Sequence, residues 1–144
     1  MMWYPAKGAF RAGIVAGTQW DDANIGTYST VGGGQNNQAS GLLSTVGGGN
    51  TNEVTDDYGT IAGGNANQAG DDAGTTADAA YATVGGGTTN TATANYATVG
   101  GGLTNTATLS AATVAGGANN TAAGNQGFIG GGAGNDVTDD YATI

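Results

Sequence analysis

A fifteen-residue repeat runs through most of the chain and constrains its fold more than any other feature. Each unit carries one apolar β-branched residue, most often within a Thr-Val-Gly-Gly-Gly motif. These anchor residues are Val31, Val46, Ile61, Val84, Val99, Val114, Ile129 and Ile144. Every step between neighbouring anchors is 15 residues, except that from Ile61 to Val84, which is 23. This periodicity predicts a stack of similar units, each in contact with its neighbours, rather than a conventional globular core.

The residue types within a unit predict strands and tight turns. Gly triplets and Thr-Val pairs recur in the units, and both disfavour a helix. The 30 glycines follow no three-residue period and only one proline is present, which excludes collagen. We therefore predict an all-β, parallel β-solenoid of 15-residue coils, a flattened roll with about two strands of four to five residues per coil. Alternation places Val31 and Ser29 in a narrow interior, and Thr30 and Tyr28 on the outer face.

The chain divides into two segments. Residues 28–144 hold the repeats, and the long step predicts a loop of eight extra residues (23 − 15) inserted at about 70–80. Residues 1–27 hold both tryptophans, one of the two phenylalanines and both basic residues, so we expect this lead-in to cap the first coil. The last residues begin a new unit, so we expect the chain to continue or to stack on another copy.

An asparagine follows each of the first seven anchors by six residues. These residues are Asn37, Asn52, Asn67, Asn90, Asn105, Asn120 and Asn135. Such a row could bind a ligand, or it could hold the turns by adopting left-handed geometry and hydrogen-bonding to neighbouring backbone. Its recurrence among variable neighbours favours the structural role.

One motif resembles a known family. The sequence Tyr-Ala-Thr-Val-Gly-Gly-Gly-x-x-Asn-x-Ala, at 81–92 and 96–107, resembles head repeats of trimeric autotransporter adhesins and related repeats of bacteriophage-type tail fibres. The resemblance covers residues 28–144, and residues 3–26 resemble the lead-in before such repeats in tail-fibre-like proteins. It implies a left-handed parallel β-roll in which three chains pack around one axis. The chain departs from the family where Val-Gly-Gly-Gly replaces the Ala-x-Gly common in those heads, which affects the cross-section and the inter-chain packing.

A tyrosine recurs three residues before several anchors, and Leu43 fills the same position once. The tyrosines are Tyr28, Tyr58, Tyr81, Tyr96 and Tyr141. They could form an aromatic strip that stacks on sugar rings, or they could pack between chains. Leucine substitutes for tyrosine in packing but not in sugar stacking, which favours packing.

The acidic residues provide the remaining candidate sites. Four aspartate pairs, Asp21-Asp22, Asp56-Asp57, Asp71-Asp72 and Asp139-Asp140, offer the oxygen ligands that calcium prefers. None completes a calcium-loop motif, which favours solvated loop charges and no cofactor, with calcium as the open alternative. Threonine pairs such as Thr91/Thr93 resemble the ranks of ice-binding solenoids, but they occur in only two adjacent coils.

Composition narrows the function class. The chain has no histidine or cysteine, and nothing in the repeat fixes two carboxylates at a defined separation, so we expect no enzyme. A net charge of −9 disfavours nucleic acid, and no stretch is apolar enough to insert into a membrane. We expect an extracellular, cell-surface or virion-tail fibre segment, structural or adhesive, that forms a homotrimer and displays a surface for a host glycan or protein. The alternative is a self-assembling extracellular filament or matrix protein.

Overall fold

A computed structural model describes all 144 residues and is an all-β solenoid of parallel, stacked coils. An antiparallel hairpin of β1 (Met2–Tyr4) and β2 (Ala9–Arg11) comes first, and its turn is the 3-10 helix Pro5–Lys7. A second 3-10 helix spans Asp22–Asn24. After it come seven coils with two strands each. No helix is long and apolar enough to cross a membrane.

The first strand of each coil contains the anchor and joins the first sheet, of nine strands including the hairpin. These strands are β3 (Thr30–Val31), β5 (Thr45–Val46), β7 (Thr60–Ile61), β9 (Thr83–Val84), β11 (Thr98–Val99), β13 (Thr113–Val114) and β15 (Phe128–Ile129). The second strands form a seven-stranded sheet. They are β4 (Gln38–Ala39), β6 (Glu53–Val54), β8 (Gln68–Ala69), β10 (Thr91–Ala92), β12 (Thr106–Ala107), β14 (Thr121–Ala122) and β16 (Asp136–Val137).

The predicted stacking of coils is confirmed, but the predicted strand length is wrong. Each repeat strand is two residues long, not four to five. A third row of single parallel bridges lies between the two sheets and links Gln35, Asn50, Asn65, Thr88, Leu103, Ala118 and Ala133 in turn. The fifteen residues are therefore divided among three sides and the turns between them, which leaves only two residues for each strand.

The core is a narrow column of small side chains. Seventeen buried residues form one cluster, made of Val, Ile and Ala only. Val31, which lies in the first sheet, and Ala39, which lies in the second, show the pattern that every coil repeats. Ser29 is also buried while Thr30 is half-buried and Tyr28 exposed, as alternation along the strand predicts.

Two corners of each coil hold a residue in the left-handed region, and apart from Gly134 in the last coil these residues are not glycines. One is the residue before the ladder asparagine, with φ of 53–56° in six coils, and the other is the tyrosine position, with φ of 54–64°. Strand amides bond forward to the next coil, as Thr98 N–H does to the Ala112 carbonyl at 2.9 Å. The left-handed residues bond backward, as Tyr96 N–H does to the Ala80 carbonyl at 3.0 Å. Each corner therefore joins a coil to the coil before it.

The hairpin covers the N-terminal edge of the first sheet. Strand β2 pairs in parallel with β3, which places Arg11 in register with Val31. The Arg11 side chain is fully buried and donates to the Ser29 and Ala39 carbonyls and to Ser29 Oγ at 2.7–3.0 Å. Burial lowers the pKa of its guanidinium to about 10. Both carbonyls also accept a backbone N–H, from Phe10 and from Gly26, so Arg11 adds further hydrogen bonds that tie the hairpin to the first coil.

The predicted insertion forms an exposed loop without strands, and the coils resume in register on either side of it. Ile61 pairs directly with Val84, although 23 residues separate them. The loop is tied to the coil before it, since Asp72 N–H bonds to Thr55 Oγ1 and Asp57 N–H bonds to the Thr76 carbonyl. The extra residues therefore leave the stack unbroken.

Candidate functional site

The seven asparagines form a continuous hydrogen-bonded row at one corner of the solenoid. Asn90 is typical: its Nδ2 donates to the Gly86 carbonyl of its own coil at 2.8 Å and to the Gly102 carbonyl of the next at 2.9 Å. Its Oδ1 accepts the backbone N–H of Asn105 at 2.9 Å. The same contacts recur along the row, and all members except the half-buried Asn135 are buried.

This geometry uses the amide groups of the buried asparagines on backbone rather than on a ligand, whereas Asn135 at the end of the row has no following coil. Both amide protons and the amide oxygen of Asn90 are already used on backbone inside the protein. The asparagines themselves are not in the left-handed conformation, which falls instead on the preceding residue, such as Thr89. Their part is therefore to bond the backbone, and their neighbours make the turn.

The glycine three residues before each ladder asparagine is what allows this contact. Gly117 has φ +94°, and a Cβ there would lie 2.0 Å from the Gly132 carbonyl and 2.8 Å from Asn120 Nδ2. Its neighbour Gly116 has no atom within 4 Å of the same position. Of these two glycines, only Gly117 lies against both the next coil and the ladder amide.

The tyrosine position forms a second, exposed row. Tyr58 and Tyr81 stack with ring centroids 4.7 Å apart, and Tyr81 and Tyr96 stack at 5.0 Å, in both cases nearly parallel. The first pair meets across the insertion. Tyr28 and Tyr141 lie at the same corner without a stacked partner, and Leu43, Ala111 and Gln126 fill the remaining coils. The presence of Ala111 and Gln126 at this position was missed from the sequence.

Stacking limits what the tyrosine row can bind. A sugar ring packs against a free aromatic face, and both faces of Tyr81 are covered by neighbouring rings. Tyr96 ends the stack, has Ala111 rather than a ring on its other side, and is 59% exposed. Tyr96 is therefore the most exposed ring of the three-ring stack and keeps one free face. Tyr28 and Tyr141, which have no stacked partner and are 62% and 71% exposed, offer free faces as well.

Charge is segregated around the solenoid. We call the outer surface of the first sheet together with the bridge row the uncharged face, and the second sheet with its following turn the acidic side. No charged residue occurs in 28–37, 43–52, 58–67, 81–90, 96–105, 111–120 or 126–135, which supply the uncharged face and the tyrosine corner. Every acidic residue after residue 28 lies on the acidic side or in the inserted loop.

The uncharged face carries a row of threonines that the sequence reasoning did not single out. These are the half-buried Thr30, Thr45, Thr60, Thr83, Thr98 and Thr113, in register along the first sheet. Phe128 takes the position in β15 and is 40% exposed. The signal available in the sequence was that acidic residues avoid ten consecutive positions of the repeat.

The acidic pairs have different surroundings. Asp22 forms a salt bridge with Lys7 at 3.3 Å and accepts a hydrogen bond from Tyr4 Oη. Both interactions lower the pKa of the Asp22 carboxyl, and the hydrogen bond from Tyr4 has the larger effect. Asp57 and Asp140 lie at equivalent turns, where each accepts a backbone N–H of the preceding coil at 2.8 Å. The structure brings Asp56 close to Asp71, and both close to Asp78, which the sequence reasoning did not single out.

Burial affects two acidic groups on this side. Glu53 is half-buried, and burial, with a smaller contribution from the charge of Asp72, raises the pKa of its carboxyl. Burial also raises the pKa of Asp56, which is 1% exposed. Both groups lie beside or under the inserted loop.

No family model matches this chain, and no curated protein matches it. The kinship with adhesin heads and tail fibres therefore remains a prediction from the repeat motif.

Proposed function

We propose that the chain is a non-catalytic segment of a homotrimeric extracellular fibre, at a cell surface or in a virion tail, with a left-handed roll in each chain. Such a segment spaces and displays a surface for a host glycan or protein. Many weak contacts along three chains would act together through avidity. The alternative is a filament in which coils of successive subunits stack end to end.

The observation that carries this proposal is the segregation of charge. Three chains would bring together 3 × −9 = −27 charges, and like charges repel strongly within a Debye length of about 8–10 Å. An acidic chain can therefore pack side by side with copies of itself only through a surface that lacks acidic groups. The uncharged face is such a surface, and it extends over all seven coils.

The shape of the uncharged face also suits packing between chains. Its threonines are short and in register, so they form a flat row at the strand spacing of about 4.8 Å. Larger apolar side chains lie at intervals, such as Leu103 at 50% exposure and Phe128 at 40%. A flat, long surface of this kind allows contact along the whole rod.

A matched pair of substitutions tests the proposal. Thr98 and Thr106 belong to the same coil, are both half-buried, and face outward from the first and second sheets respectively. We expect Thr98→Glu to place charge within the interface and convert a trimer to monomers. Thr106→Glu adds the same charge to the acidic side and leaves the trimer intact. Molar mass is measured by light scattering after gel filtration.

Two results would decide against the trimer, and a third would decide against the uncharged face as its interface. A monomeric wild-type protein at micromolar concentration would contradict the trimer. Polymers that grow with protein concentration would favour the filament. Equal dissociation of both variants would show that added charge, rather than its position, disrupts assembly.

Adhesion is tested separately on a glycan array with the full chain. Tyr96→Ala removes the most exposed ring of the stack, while Tyr81→Ala removes a ring whose two faces are covered. Loss of a glycan signal in the first variant alone would support sugar binding at the end of the stack. Unchanged binding in both would place the receptor contact elsewhere on the rod.

A further inference from the structure

The inserted loop brings three carboxylates together on the acidic side. One oxygen from each of Asp56, Asp71 and Asp78 lies within 4.8 Å of the other two. Calcium binds oxygen at about 2.3–2.6 Å, so two ligands of one ion lie at most about 5 Å apart. The three oxygens therefore meet the spacing required for a single ion.

Asp56 provides an independent indication of a ligand. It is 1% exposed, and its Oδ2 accepts from Thr55 Oγ1 and from the backbone N–H of Asp71, both at 3.0 Å. Its Oδ1 is buried without a hydrogen-bond partner. The backbone N–H of Ala79 favours the charged carboxylate, yet it forms no hydrogen bond of normal geometry to it. A buried carboxylate oxygen left unpaired is costly unless a cation compensates it.

No side chain of the protein supplies that cation. The only basic residues are Lys7, which binds Asp22, and Arg11, which is buried at the N-terminal end. Glu53 and Asp72 add further negative charge nearby, since the charge of Asp72 helps to raise the pKa of Glu53. The loop thus concentrates acidic groups with no basic partner.

We propose that Asp56, Asp71 and Asp78 bind one calcium ion, which fixes the inserted loop against the second sheet. The oxygen-only donor set favours a hard cation, and with no histidine or cysteine in the chain the usual zinc ligands are missing. Calcium tolerates the irregular geometry of a loop, and the exposed side of Asp78 leaves room for water ligands. This inference does not depend on the trimer or on adhesion.

The loop geometry explains how each ligand is held. The Asp56 carboxylate is fixed by Thr55 and by Asp71 N–H, which the insertion carries back over the coil. Asp71 Oδ1 accepts the N–H of Ala73, so a short turn orients it. Asp78 closes the loop, because its Oδ2 accepts the N–H of Thr75.

Calorimetric titration of the full chain with calcium chloride tests the site. We expect one ion per chain with a Kd of about 10⁻⁴–10⁻³ M, the range of extracellular calcium modules, and weaker binding of magnesium. Calcium should also raise the melting temperature and slow hydrogen exchange in residues 70–80. Asp78→Asn, at an exposed position, should weaken binding at least tenfold, and so should Asp56→Asn.

Asp139→Asn is the matched control, because Asp139 occupies the coil position of Asp56 in a coil without an insertion. It should bind calcium as the wild type does. Equal binding by wild type, Asp56→Asn and Asp78→Asn would overturn the proposal and indicate diffuse attraction to an acidic surface. The absence of any heat or melting shift at millimolar calcium would overturn it as well.

Discussion

The two corners of the coil have the same backbone but opposite tolerance of sequence change. Both contain a left-handed residue whose N–H bonds to the preceding coil. At the asparagine corner the next residue is Asn in all seven coils. The left-handed position itself varies at both corners: it holds Asn, Thr, Ala or Gly at the asparagine corner and Tyr, Leu, Ala or Gln at the tyrosine corner. The turn geometry alone therefore does not require a particular side chain.

The difference lies in what the side chain must do for the backbone. At the asparagine corner a part-buried glycine carbonyl and a buried N–H have no backbone partner, and the Asn amide satisfies both. At the tyrosine corner the N–H of the left-handed residue bonds to a backbone carbonyl of the preceding coil, and its own side chain is not needed for any backbone bond. Invariance of a repeat position here reflects hydrogen bonding, whereas variation marks a surface free to acquire a function.

The largest loss of stability should come from adding a methyl group to the glycine that packs against a ladder asparagine. Gly117→Ala would place Cβ 2.0 Å from the Gly132 carbonyl at a φ of +94°, so the neighbouring coil must move. We expect a loss of about 3 kcal/mol or more in the free energy of unfolding, measured by urea titration. Gly116→Ala, one residue earlier, should change stability by less than about 1 kcal/mol. Similar losses of stability in Gly117→Ala and Gly116→Ala would mean that both glycines of this turn need the same backbone flexibility.

Removing one ladder amide should have the next largest effect. Asn90→Ala leaves the part-buried Gly86 carbonyl and the buried Asn105 N–H without partners. At about 1–3 kcal/mol for each group, we expect a loss of about 2–5 kcal/mol. Asn95→Ala, in the same coil but with no side-chain hydrogen bond, serves as the control and should cost little. A small loss at Asn90 would show that water replaces the amide and that the corner is not closed.

The coil period, the anchors and the insertion were predictable because each depends on residues that repeat. The asparagine row could be located from its spacing, but its bonding partners could not. They are glycines four residues before and twelve after, and only the three-sided path of the chain brings these together. Two-residue strands were unpredictable for the same reason, because the third bridge row has no fixed residue type, with Gln35, Thr88 and Leu103 all occupying it.

The carboxylate cluster lay beyond sequence reasoning for a different reason. Asp56 and Asp71 stand in acidic pairs that are visible in the sequence, but their partners in the pairs, Asp57 and Asp72, lie outside the cluster. Asp78 stands alone in the inserted loop, where no repeat fixes its position. A loop without periodicity can be detected from a sequence, but its path cannot.

At the tyrosine corner, substitution by alanine should reduce stability only where the tyrosine ring stacks on another ring. Tyr81→Ala removes two stacked contacts, each worth about 0.5–1.5 kcal/mol when fully formed, so we expect a loss of about 1–2 kcal/mol at this exposed row. Tyr141→Ala has the same backbone conformation and no stacked ring, and it should be nearly neutral. Equal effects in chemical denaturation would assign the cost to the left-handed turn rather than to stacking.

The smallest expected effect concerns Glu53, which replaces glutamine in a row formed by Gln38, Glu53 and Gln68 on the second sheet. Burial raises the pKa of its carboxyl, so the ionised form disfavours folding above that pKa, and the penalty fades as pH falls through it. Glu53→Gln should therefore raise stability at pH 7, by less than about 1 kcal/mol because the side chain is half-exposed. Without divalent cations, this gain in melting temperature should vanish below about pH 4, where the unfolded glutamate is also protonated.

Asp136→Asn, the exposed counterpart in the last coil, should show no such gain. A lower melting temperature for Glu53→Gln at pH 7 would mean that the hydrogen bond from Gln38 to the charged carboxylate outweighs its burial.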